Sequence, residues 1–263
     1  MSQRRLKNKL KNRAFIALML VFALSTAYIN ESDFHTYDVK SIIASVGTKE
    51  LPIYCVSTNK PQVAISFDAA WGNEDTGKIL KILKENNVSA TFFMTGGWVS
   101  EYPDDVLAIY KAGHDLGNHS ENHKNMSQLS SEEIKKELTS VTDKVKEITG
   151  TQMELFRPPY GDYDNHVITN ARDCGYYSIQ WSVDSLDWKN YGAQEITDTI
   201  LNHKALKNGA IILMHNGAKY TATALPDVIN GLKEKGYEIV PISKLIYKSD
   251  YHIEHDGSQV KNN

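Results

Sequence analysis

Gly209-Ala210-Ile211-Ile212-Leu213-Met214-His215 is a glycine, an unbroken apolar run and then an imidazole. A glycine after a helical stretch accepts the left-handed conformation that ends a helix. The run behind it shows no polar alternation, which is how a strand buried on both faces reads. The same order recurs outward along the chain. A helical stretch from about Pro103 to Ala112 stops at Gly113, before His114-Asp115-Leu116-Gly117-Asn118. Another opens at Ser130, whose spacing to Glu133 fits a capping box, and runs to Thr149 before Gly150. Further helices end at Cys174 before Gly175, at Gly209 itself, and at Lys235 before Gly236, with Tyr176–Gln180 and Tyr237–Val240 as the strands that follow the first and last. Upstream, Leu51–Ser57 and Gln62–Phe67 read as strands joined by the turn Thr58-Asn59-Lys60-Pro61, so a hairpin opens the domain. Strands alternating with helices predict βα units on a parallel sheet. About seven strand candidates lie between Val63 and Val240. They predict an α/β fold, a (β/α) barrel that is complete or partial, with a doubly wound open sheet as the alternative.

The chain has 263 residues, 41% of them hydrophobic and 23% charged, a globular composition. Its formal charge of −3 offers no basic body to a nucleic acid. Cys55 and Cys174 do not make a disulfide framework and read as small buried hydrophobes. Arg4, Arg5, Lys7, Lys9, Lys11 and Arg13 precede the apolar run Ala14–Ile29, and no acidic residue comes before Glu31. A basic flank before an apolar run keeps the flank cytoplasmic and inserts the run into a membrane. Residues 1–30 therefore read as an anchor, or as a signal peptide cleaved near Ser25-Thr26-Ala27, with the rest of the chain outside the cytoplasm. Residues 31–50 read as a juxtamembrane spacer, 51–248 as the catalytic domain, and 249–263 as a disordered polar tail. A monomer is the expectation.

The chemistry sits just behind the expected strands. Asp68 follows Val63–Phe67, His119 and His123 follow His114–Asn118, and Arg157 follows Glu154–Phe156. Asp184 follows the strand around Ile179–Val183, and His215 ends Ile211–Met214. In a barrel of parallel strands these positions meet on the C-terminal face, where catalytic groups sit. Two imidazoles four apart suit a first-row metal such as Zn²⁺, or else are simply solvated. A carboxylate at the end of an apolar strand is costly unless paired or functional, although Asp68 could cap a following helix. Arg157-Pro158-Pro159-Tyr160-Gly161 is a rigid loop that can aim a backbone N–H at a developing oxyanion. Asp184-Ser185-Leu186-Asp187-Trp188 adds carboxylates beside an aromatic ring.

Taken together these residues resemble the polysaccharide deacetylase family (carbohydrate esterase family 4). The match runs from about Leu51 to Tyr247 and holds five motifs in the family's order: Ser66-Phe67-Asp68, His119-Ser120-x-x-His123, Arg157–Gly161, Asp184-x-x-Asp187-Trp188 and Leu213-x-His215. Ser66–Asp75 together with the basic-apolar start looks closest to the sporulation-associated subgroup of spore-forming bacteria. The resemblance implies a distorted (β/α) barrel and removal of N-acetyl groups from a cell-wall glycan, peptidoglycan above all. It implies that His119 and His123 hold a divalent metal, Zn²⁺ or Co²⁺, and that Asp68 is the general base and His215 the general acid. Arg157 would hold Asp68 ionised, and Asp184 would keep His215 protonated. The Tyr160 N–H would serve the oxyanion, and Trp188, Leu213 and Pro158 would wall the substrate pocket.

One position departs from the pattern. The family usually carries a second, metal-binding Asp directly after the base, and here that residue is Ala69. Water, the substrate or a carboxylate such as Glu74 would have to replace it. The departure leaves two alternatives to an active glycan deacetylase: a catalytically impaired glycan-binding protein, or an amidase acting on a small N-acyl compound.

Overall fold

The computed structural model describes residues 49–262. The basic flank, the apolar run and most of the spacer lie outside the described residues, and so does any test of membrane attachment. Among the described residues no helix is long and apolar enough to cross a membrane.

The chain forms β1 (Cys55–Val56), β2 (Gln62–Ala69), α1 (Thr76–Glu85), β3 (Thr91–Met94), α2 (Gly96–Glu101), α3 (Pro103–Lys111) and β4 (Asp115–Asn118). It continues through α4 (Ser131–Thr149), β5 (Leu155–Phe156), α5 (Asn165–Asp173), β6 (Tyr177–Ser178), β7 (Val183–Asp184), α6 (Ala193–Leu201) and β8 (Ile211–His215). It ends with α7 (Thr221–Glu234), β9 (Glu238–Ile239), α8 (Ile242–Leu245), β10 (Tyr251–Ile253) and β11 (Ser258–Lys261).

Seven strands form a parallel sheet in the order β6-β5-β4-β3-β2-β8-β7, and β9 pairs with the start of β2. This is the incomplete (β/α) barrel that the glycine–strand rhythm predicts. Alternation along each strand fixes what the barrel contains. On β2, Val63, Ile65 and Phe67 pack outward with the helices, while Ala64 joins the inner cluster. Ser66 and Asp68 share the inner face with Ala64. On β8, Ile212 and Met214 face the helices, leaving Ile211, Leu213 and His215 inside. Each inner face therefore changes from apolar to functional as it nears the C-terminal end of its strand.

The helices close the outer layer by ordinary means. In α4, Ile134, Leu138, Val141 and Val145 are buried on one stripe. Ser130 and Glu133 make the expected reciprocal capping box, and Gly150 ends the helix at φ 73°. The helix expected to lead up to Gly209 is shorter: α6 stops at Leu201, and turns fill the interval.

Two expectations fail. The opening hairpin does not form, because β1 pairs in parallel with β11 rather than with β2. Ile53 bridges Ile179 and Cys55 bridges Ala210, so this segment ties the end of β6 to the start of β8. The tail is ordered too: β10 and β11 form an antiparallel hairpin that turns at Gly257, and β1 joins its far edge. A three-stranded sheet satisfies backbone groups that a polar composition alone would assign to water. Cys55 and Cys174 are both free, but only Cys55 is buried as expected; Cys174 is half-buried.

Gly209 carries the tightest backbone approach in this region. It sits at φ +80°, and a Cβ there would lie 1.7 Å from the Val56 carbonyl oxygen. Gly209→Ala is expected to cost more than about 2 kcal/mol, as strain and backbone displacement combine. Gly113→Ala, with open space around it, should cost only the left-handed penalty of about 1–2 kcal/mol. Urea denaturation of the two variants checks the order.

Candidate active site

Asp68 ends the inner face of β2 at 5% exposure, and Arg157, fully buried, meets it from the segment after β5. Arg157 Nη1 donates to Asp68 Oδ1 at 2.7 Å, and Nη2 donates to Ser66 Oγ at 2.8 Å. The Ser66 hydroxyl hands its own proton to the Ile212 carbonyl, so the chain of donors is consistent. The guanidinium lies 4.1 Å over the Phe93 ring and 5.6 Å from Trp181. Gly117 makes the room, since a Cβ there would meet Phe93 at 2.4 Å. Burial pushes the Asp68 carboxyl up more than any single neighbour pulls it down. Arg157, His119 and His215 together reverse that and hold it below its ordinary 3.8.

The two neighbouring histidines are set by a strained loop. His119 N donates to the Met94 carbonyl at 3.0 Å, and Ser120 and His123 take left-handed φ of 64° and 52°. Non-glycine residues hold that conformation only when their surroundings insist. Here Ser120 N donates to Asn118 Oδ1, and the buried Glu137 accepts from both the backbone and the side chain of Asn122. His119 Nδ1 is 2.7 Å from the Arg157 carbonyl, which fixes the proton on Nδ1 and leaves Nε2 as a lone pair. Burial lowers this imidazole to about 4, so it is neutral at neutral pH. Its Nε2 lies 3.2 Å from His123 Nε2 and 3.5 Å from Asp68 Oδ2.

The metal implied by the resemblance can be tested against this donor set. Two imidazole ligands of a tetrahedral ion, each about 2.1 Å from it, stand about 3.4 Å apart. The observed pair fits two such corners. A third is missing: no group of three or more His, Cys, Asp or Glu side chains that could hold a metal occurs among the described residues. Ala69 packs into the outer core, and the Glu74 carboxylate lies against Gly72 rather than in the cleft.

His215 ends β8. Its Nδ1 is 2.7 Å from Asp187 Oδ1, and its backbone N donates to Asp187 Oδ2 at 2.7 Å. Asp187 is fully buried and also accepts from Thr221 Oγ1 at 2.6 Å. Burial disfavours the imidazolium, but the Asp187 hydrogen bond and charge outweigh it, with smaller help from Asp68 and Asp184, and His215 is raised above its ordinary 6.5. The expected partner was Asp184; the bond belongs to Asp187. Asp184 instead accepts from the backbone N–H of Leu186 at 2.8 Å, and Leu186 turns left-handed at φ 55° so that Asp187 swings under β8.

Asp68, His119, His123, Asp184 and His215 line a cleft of about 410 Å³, with Arg157 and Asp187 buried behind them. Pro158, Leu213 and Trp188 line it, and so does Tyr160, at φ 59° with its ring 4.5 Å from that of His123. Trp71 and Trp181 line it as well, although neither was expected there. Trp71 stacks on His215 at 5.7 Å. His114 lies outside the cleft lining, accepts from Ala90 N, and burial lowers it to about 4.

Residues 56–179 match the polysaccharide deacetylase family model. The peptidoglycan-N-acetylmuramic acid deacetylase PdaA of Bacillus subtilis is 33% identical over 76% of this chain and 77% of its own length. A solved CE4 family pseudoenzyme from Bacillus anthracis is 36% identical, with a TM-score of 0.72 over 76% of this chain and 70% of that one. A mutant of that pseudoenzyme, 38% identical with a TM-score of 0.71 over 74% and 70% of the two chains, is described as having restored enzymatic activity.

The division of labour between the two carboxylates is testable. His215 should titrate above 6.5 by NMR. Asp187→Asn removes the anion that favours its charged form, so its pKa should fall. Asp184→Asn should move it much less.

Proposed function

Because the chain belongs to the polysaccharide deacetylase family of hydrolases, we propose that it removes N-acetyl groups from peptidoglycan on the outer side of a membrane to which residues 1–30 attach it. The observation that carries this reading is one cleft lined by Asp68, whose neighbours favour the carboxylate, and His215, whose neighbours favour the imidazolium, together with two further imidazoles. Amide hydrolysis needs both states at once. Asp68 takes the proton of the attacking water, and Arg157 keeps the carboxylate ionised and aimed. His215 gives its Nε2 proton to the departing amine, while Asp187 holds the ring through Nδ1. The Tyr160 N–H donates to the oxyanion, a contribution of about 3 kcal/mol for such a donor. Pro158, Leu213 and Trp188 enclose the acetyl group. A divalent metal, Zn²⁺ or Co²⁺, held by His119 and His123 would polarise the acetyl carbonyl and acidify water. The N-terminal pattern and Ser66–Asp75 support a role in sporulation.

A second reading has an observation of its own. Ala69 offers no carboxylate, and a solved relative of this chain is described as a pseudoenzyme. On that reading the cleft binds N-acetylated glycan without turning it over.

Acetate release from N-acetylated glycan strands with Zn²⁺ or Co²⁺ separates the two. The proposal expects metal-dependent release that Asp68→Ala lowers at least about a thousandfold. Its rate should fall on the acid side as Asp68 and the metal-holding His119 and His123 take up protons, and on the alkaline side as His215 loses its proton, above 6.5. An inert parent that still binds the strands, and that Ala69→Asp makes active, would establish the binding reading instead.

A further inference from the structure

Five large hydrophobic side chains are exposed among the described residues, and three of them, Trp71, Tyr160 and Trp188, line the one cleft. Exposed aromatic rings gathered at a concave site are what a ligand with apolar faces and polar edges requires. Their placement is unequal. Tyr160 meets His123 edge-on, whereas Trp71 lies nearly parallel to the His215 ring, 23° between planes, and remains 47% exposed.

The Trp71 position is also built rather than incidental. The next residue, Gly72, turns left-handed at φ +60°, and its carbonyl accepts from Trp98 Nε1 at 2.7 Å and Asn216 Nδ2 at 3.3 Å. Asn216 N in turn donates to the Asp68 carbonyl at 2.9 Å, so the turn carrying Trp71 is tied to the strand carrying the base. Gly217, at φ +88°, leaves room for it: a Cβ there would stand 2.8 Å from the Trp71 carbonyl oxygen and 3.5 Å from ring atom Cδ1. An indole fixed by two turns, half-open to the cleft and stacked on one catalytic ring is poorly explained by core packing, which would bury it.

We propose that Trp71 is the stacking platform for the pyranose ring that bears the acetamido group. This rests on the reading of His215 as the acid that protonates the leaving amine. The sugar carrying that nitrogen must then lie beside His215, and the open indole surface beside His215 belongs to Trp71. A β-linked amino sugar with equatorial substituents presents axial C–H groups on both faces, which suit an indole face. Trp71 thus selects for a saturated six-membered ring next to the amide. A flexible acyclic N-acyl compound offers no such face.

The test is calorimetric titration of the full chain with soluble N-acetylated glycan strands that alternate N-acetylglucosamine and N-acetylmuramic acid. Trp71→Leu keeps apolar volume and loses the ring, and it should weaken binding about tenfold, the scale of one aromatic stacking contact. Trp71→Phe should restore most of the affinity. Gly217→Ala, which displaces Trp71 without touching a ligand, should weaken it as well. Equal affinity for Trp71→Leu and the parent, at unchanged melting temperature, would overturn the proposal, and so would a parent that binds no strand. An effect of Trp71→Leu on kcat alone, with dissociation constant unchanged, would make it a support for His215 and not a platform. Because binding is read directly, a parent that binds but releases no acetate would defeat the deacetylase reading while still deciding the role of Trp71.

Discussion

A carboxylate and a guanidinium, both buried, face one another inside this barrel, and most of the site's geometry follows from that pair. Removing two charges from water is costly, and their attraction repays it only with close geometry and further hydrogen bonds. Asp68 and Arg157 meet at 2.7 Å, and the guanidinium is also held by Ser66, by the Gln180 carbonyl and by the Phe93 face. The Arg157 main chain serves the same region twice more. Its carbonyl fixes the tautomer of His119, and its N–H donates to the Asn118 carbonyl at 2.9 Å. One residue therefore sets the charge of the base, the lone pair of an imidazole and the junction of two strands.

The barrel delivers these groups because its strands are parallel and alternate. Inner positions stay apolar near the strand starts and become ionisable at the ends, as along Ala64-x-Ser66-x-Asp68 and Ile211-x-Leu213-x-His215. What the strands cannot set, strained turns do. Ser120, His123, Tyr160 and Leu186 all adopt left-handed φ without being glycine, and each lies within or beside the cleft. Asn87, Asn190 and Asp250 share that conformation elsewhere among the described residues, but around the cleft it is held by clamps such as Glu137 on Asn122, which points to a geometry maintained for use.

Much of this was legible in the sequence. Glycine-terminated helices and unbroken apolar runs disclose the parallel sheet, and the ionisable residue after each run discloses the cleft. The choice between Asp184 and Asp187 was not legible, since it turns on the left-handed Leu186 between them, and a β-turn of either kind fits the same residues. The place of Trp71 and Trp181 in the cleft was not legible either, because nothing local distinguishes a half-open indole from a buried one. The tail was misread for a different reason: β11 finds its partner in β1, about 200 residues away in sequence, and no local pattern reports a pairing at that distance.

The account depends on which influence wins at Asp68, because burial pushes its carboxyl up toward the neutral acid while Arg157 and the histidines pull it down. Carbon-13 NMR of the side-chain carboxyl, followed through a pH titration of the metal-free protein, measures that balance directly. The account predicts that Asp68 stays ionised down to a pH below 3.8. A midpoint above that value would mean that desolvation outweighs Arg157 and the histidines, which contradicts that balance, and a midpoint above neutral pH would leave Asp68 a neutral acid unable to serve as the base.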